Sequence, residues 1–220
     1  MEIRDTFALL ACVLLVLCGV TYGIKFLKKQ NYLLGLEWLI VAFSGSNLLI
    51  YLLTEWKFNY SISFFLDAFS RGFGIPIVAT LGLMAVTHNY KPSVSKDVVI
   101  FAASFAATFV LVLADFVREP LPYFYVIMWS GYTIYLAYFT WQLVCARENL
   151  HALATAVGAA GALVVALVYD FFPIPGDDTK MVFMTFALTT WSYTLIQLYY
   201  AYGALGRAMG GSSRLLVQAR

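Results

Sequence analysis

The chain is poor in charge and poor in reactive side chains. Of its 220 residues only 12% are Asp, Glu, Lys or Arg, two are His, three are Cys and six are Pro. Soluble domains carry roughly twice that proportion of charge, so an ordinary water-soluble fold is excluded. A net charge of +2 excludes the broad basic face of a nucleic-acid binder. His88 and His151 lie near the ends of apolar segments and are too few for a metal cage or a bis-histidine haem. Cys12, Cys18 and Cys145 fall in or beside apolar runs, without metal-ligand spacing or an exported disulfide pattern, and read as small hydrophobes. No HExxH, GxSxG or glycine-rich phosphate loop is present, so no motif names a cofactor and the chain leans away from catalysis.

What the chain does have is apolar length. Hydrophobic residues make up 62% of it and its mean hydropathy is +0.80. Apolar runs cover about 6–26, 32–54, 62–87, 98–116, 121–146, 150–172 and 181–205. A hydrocarbon core about 30 Å thick takes roughly 20 helical residues per crossing. Lipid offers the backbone no hydrogen-bond partner, so each crossing has to be a helix. The pattern predicts an all-α polytopic membrane protein, a bundle of seven transmembrane helices over residues 1–205, with a cytoplasmic tail at 206–220. Turn-forming clusters such as Lys91-Pro92-Ser93 and Pro173-Ile174-Pro175-Gly176 punctuate the runs and leave no room for a soluble domain.

Basic residues divide unevenly between the two ends of these helices. Lys25, Lys28, Lys29, Lys91, Lys96, Arg147, Arg207, Arg214 and Arg220 fall on one side; Arg4, Lys57, Arg118 and Lys180 fall on the other. The positive-inside rule makes the first side cytoplasmic and the N-terminus external, in a cell membrane, inner or plasma. The first run has Glu2, Arg4 and Asp5 ahead of it and lysines behind it, the reverse of a secretory signal, and is expected to remain in the protein. Eight acids, Asp170, Asp177 and Asp178 among them, fall on the outer side. The sequon Asn59-Tyr60-Ser61 sits in so short an outer connection that the membrane would crowd a glycan, and we read it as chance.

Ionisable groups within a span cost roughly 2.5 to 3.5 kcal/mol each on insertion scales and require a reason. Three are expected well inside the spans: Glu37 in the second, Asp67 and Arg71 in the third. Asp67 and Arg71, four apart, share a helix face with Ser63, Ser70 and Gly74 and can form an ion pair. In the same helix Pro76 cannot donate to the carbonyl of Gly72, which predicts a kink that frees backbone carbonyls near mid-membrane. Glu37 has no basic neighbour on its own helix and shares its face with Ser44; it suits a carboxyl that takes up a proton reversibly. Polar stripes recur in the fifth run (Ser130, Thr133, Tyr135, Tyr138, Gln142) and the seventh (Thr185, Thr189, Ser192, Tyr193, Gln197). Trp38, Trp129 and Trp191 lie deeper than an interfacial belt, where rings can wall an apolar or cationic substrate. Ala152, Ala156 and Ala160, with Gly158, Ala162 and Ala166, and the alanine pairs 102–103 and 106–107, read as packing faces.

Size, crossing number and orientation match those of microbial rhodopsins, but 181–205 holds no lysine for a retinal Schiff base. Seven-helix sugar transporters with duplicated three-helix halves have a proline in the first helix, and 6–26 has none. The residues lead to a small transporter or channel-like protein for a small solute or ion, proton-coupled through Glu37. Substrate or ion binding is expected at Glu37, Asp67, Arg71, Ser44, Gly72 and Pro76. Its partners are the lipid bilayer, the solute or ion and a second copy of the chain, with no nucleic acid. Alternatives are a membrane subunit or sensor whose charges pair with another protein, and an intramembrane enzyme acting on a lipid-like substrate.

Overall fold

The computed structural model describes residues 3–90 and 92–218, with side chains as far as Met209. Glu2, Lys91 and Arg220, and the side chain of Arg214, counted above for orientation, lie outside the described residues. Seven helices follow in order: α1 (Ile3–Lys28), α2 (Tyr32–Thr54), α3 (Lys57–Thr87), α4 (Val94–Leu113), α5 (Leu121–Cys145), α6 (Asn149–Asp170) and α7 (Met181–Gln218). No strand occurs among the described residues. All but α5 are long and apolar enough to cross a membrane, and the chain is a multi-pass membrane protein. The predicted tail is not set off from the bundle by a break, because α7 runs unbroken past Leu205.

Local chemistry sets the helix ends. Asn31 caps α2 by accepting from the amide of Leu34 at 3.2 Å, and Gln30 before it adopts a positive φ of 58°. Glu55 closes α2 in the left-handed conformation. Only Glu55 and Trp56 then separate α2 from α3, so α3 starts at Lys57, five residues ahead of the apolar run. Asn59 is consequently in a helix, buried, with its amide donating to Asn47 Oδ1 at 2.8 Å. Asp177 holds the start of α7 through the amides of Val182 and Phe183, at 3.1 and 2.7 Å.

Helices α1 and α2 pack backbone to backbone. A Cβ at Gly19 would sit 2.7 Å from the carbonyl oxygen of Trp38, and one at Gly35 2.5 Å from Leu27 Cδ2. Trp38, fully buried, donates to the carbonyl of Leu195 at 3.3 Å and ties α2 to α7. Of the small residues expected to pack α6, Ala152, Gly158, Ala162 and Ala166 are buried, whereas Ala156 and Ala160 are exposed. In α4 the expectation is corrected: Ala102, Ala103 and Ala106 face outward, only Ser104 and Thr108 are buried, and the helix is held by ring contacts of Phe101, Phe105 and Phe109 with Phe65 and Phe69. Benzyl side chains reach further than methyl groups and decide which face docks.

The departure from α geometry around Pro76 is broader than a kink. Residues Ser70–Ala79 form a π-helical stretch in the middle of α3, with Pro76 inside it. A wider turn absorbs the missing amide by changing the hydrogen-bond register, an arrangement frequent at functional sites.

Candidate functional site

Five helices, α2, α3, α5, α6 and α7, with Leu15 of α1, enclose a cavity of about 400 Å³, within the range of small-molecule sites. It reaches from the helix ends at Tyr51, Tyr60 and Lys180 inward to Trp38 and Leu198. On α3, Ser63, Asp67, Ser70 and Arg71 come from successive turns and form its polar wall, as their spacing requires. Ser44 of α2 also lines it and is anchored to Ser63, donating to its carbonyl at 3.2 Å with the two hydroxyl oxygens 3.3 Å apart.

Arg71 is the centre of this wall. Its guanidinium lies between the rings of Tyr125 and Tyr169, 4.0 and 3.7 Å from their centroids. One terminal nitrogen pairs with Asp170 of α6, while the other is 3.9 Å from Asp67. Tyr169 donates to Asp67 at 3.5 Å. Sequence reasoning missed Asp170 by treating it as an outer loop acid. It is the last residue of α6, 99 positions from its partner, and only the apolar Phe171-Phe172 after it hinted that the helix end stays in the bundle.

Glu37 reaches from α2 to Gly74 of α3, beside Ser70. It is fully buried, does not line the cavity, and neither carboxylate oxygen has a hydrogen-bond partner. Its carboxyl fills the space left by Gly74, where an added methyl would overlap it. The hydroxyl of Ser70 faces this carboxyl just outside ordinary hydrogen-bond geometry, and that of Tyr132, also without a hydrogen-bond partner, lies within reach of its charge. Both of these residues line the cavity, so one layer of side chains separates Glu37 from it. An unpartnered buried carboxyl is costly in any medium that cannot solvate it.

Gly72 and Pro76 are placed elsewhere. Neither lines the cavity; Gly72 packs against Leu111, Phe124 and Tyr125, and Pro76 is buried within the π stretch. They shape α3 instead of presenting carbonyls to a solute. The polar stripes of α5 and α7 also turn away. Thr133, Thr185 and Ser192 donate to carbonyls of their own helices at 2.7 to 2.8 Å, and Tyr193 and Gln197 tie α7 to Ala154 and His151 of α6. The cavity face of α7 is mainly apolar, with Met184, Leu188, Trp191 and Leu195 beside the single hydroxyl of Thr194, and that of α5 is Trp129 and Tyr132. Trp38, Trp129 and Trp191 all line the cavity, and the indole nitrogens of Trp129 and Trp191 have no hydrogen-bond partner.

Among the described residues no cluster of three or more His, Cys, Asp or Glu is placed to hold a metal ion. Comparison with protein-family models, with curated protein sequences and with solved structures finds no match for this chain.

Proposed function

We propose that this protein is a small membrane carrier: a solute or ion enters the cavity from the outer face, Asp67 and Arg71 bind or gate it, and Glu37 carries a coupling proton. One observation supports this above the rest. The cavity starts at the helix ends around Tyr51, Tyr60 and Lys180 and stops one layer short of a buried, unpartnered carboxyl. A one-sided cavity ending near an ionisable group is what alternating access requires of one of its two states. The positive-inside rule supplies the orientation, with the mouth outward, in an inner or plasma membrane. Ser70 and Tyr132 lie between cavity and carboxyl and supply hydroxyls through which a proton could pass.

The test is flux into proteoliposomes loaded with the pH dye pyranine, over a panel of small organic cations, anions and neutral solutes. Wild type is expected to move at least one class with a proton flux. Glu37→Gln should abolish the proton flux and Asp67→Asn the solute flux. No flux across the panel, or both folded variants moving solutes as wild type does, overturns the reading.

A further inference from the structure

The charge balance around Arg71, below the rim of the cavity, narrows the choice of ligand. Asp67 and Asp170 share the single guanidinium of Arg71, so with all three ionised the cluster carries one negative charge in excess. The guanidinium is committed to Asp170 and to two tyrosine rings, and its side chain is only 7% exposed. Asp67 is the partner left over: 3.9 Å from Arg71, receiving one long hydrogen bond from Tyr169, and 25% exposed where it lines the cavity. No other described Lys or Arg pairs with it. Lys180, the remaining cation of the lining, is exposed at the rim beside Tyr169.

Apart from the hydroxyls of Ser44, Ser63, Ser70, Thr179 and Thr194, the rest of the lining is apolar and ring-rich. Trp129, Tyr132, Tyr169 and Trp191 present aromatic walls, and Met184 and Leu188 face them. Ring faces are negative and attract a cation most strongly when it is stripped of water. A divalent inorganic cation would have to exchange its water for charged protein ligands, and no group of three or more His, Cys, Asp or Glu is placed to supply them among the described residues. An anion would meet Asp67. A weakly hydrated organic cation satisfies both the unmatched carboxylate and the rings. Resting on the carrier reading above, we propose that the cavity is a site for a monovalent organic cation with an apolar body, an alkylated ammonium whose charged head lies against Asp67.

The experiment compares two probes of the same shape and different charge on the full chain in nanodiscs. Benzyltrimethylammonium and the hydrocarbon neopentylbenzene differ by replacement of the quaternary nitrogen with carbon. Binding is read from tryptophan fluorescence, with partition into empty nanodiscs subtracted. Saturable binding of the cation at least about tenfold tighter than of the hydrocarbon is expected, the scale of a desolvated cation over aromatic rings. Asp67→Asn should remove that advantage, and Lys180→Gln should keep it. Equal affinity for the two probes in wild type overturns the proposal without any variant having to fold, as does an undiminished advantage in folded Asp67→Asn. Because no sealed vesicle is involved, absent binding sinks this assignment while leaving transport of another solute standing. Binding without uptake sinks the carrier reading and leaves the site.

Discussion

Arg71 organises the polar interior, and its removal is the most direct test of that organisation. Arg71→Ala would leave Asp170 and Asp67 without a counter-charge; losing one partner of a buried pair costs about 3 to 5 kcal/mol. A marked fall in the detergent unfolding temperature by circular dichroism is expected. An unchanged midpoint would mean that the cluster is solvated and structurally idle. Arg71→Lys should recover only part of the loss, because an ammonium cannot lie flat between Tyr125 and Tyr169 while reaching two carboxylates. Gly74→Ala tests the contact of α3 with Glu37. Its methyl would meet the carboxyl of Glu37, and overpacking of this kind costs about 1 to 3 kcal/mol. The same unfolding assay should register it, and a neutral result would mean that Glu37 has room to swing aside. Glu37, Asp67 and Arg71 were legible in the sequence because a charge inside an apolar run stands out by itself. Asp170 was not legible, since a helix-end acid looks the same whether it meets water or an arginine from another helix.

At the scale of the element, closeness of approach separates helices that must stay put from those that need not. A leucine at Gly19 would drive its Cβ into the backbone of α2 and should destabilise by about 1 to 3 kcal/mol. Leucine at the outward-facing Ala103 of α4 should lie within about 0.5 kcal/mol of wild type. Equal midpoints for the two variants would contradict the packing described here. All seven helices could be read from apolar run length, because lipid imposes a length and a hydrogen-bonding rule that leave few alternatives. Faces were harder to read. A stripe of hydroxyls such as that of α7 can line a cavity or bond between helices, yet Ser and Thr can also satisfy themselves on their own helix and so need not point at anything. Pro76 signalled irregularity in α3 without its form, because hydrogen-bond register depends on what the neighbouring helices allow.

For the molecule as a whole, orientation is the first property to measure. With Cys145 replaced by serine, cysteine at exposed Glu55 should react with a membrane-impermeant maleimide on intact cells, and cysteine at exposed Lys29 only after lysis. The reverse pattern would place the cavity mouth in the cytoplasm. Assembly is the second. Helix α5 is 25 residues long and carries no charge, but seven of those residues are Tyr or Trp, and it alone among the seven falls short of the hydropathy of a self-sufficient span. The helix packs on α6 and the π stretch of α3, where Tyr125, Trp129 and Tyr132 are buried and Tyr135 and Tyr138 half-buried, while Tyr123 and Trp141 face outward. Such a segment is retained in the bilayer by company, so biosynthesis cannot finish it when it leaves the ribosome. A nascent chain cut after Arg147 should hold α5 loosely, with a cysteine at its end open to bulky reagents from either compartment, and extension through α6 should lock it in place.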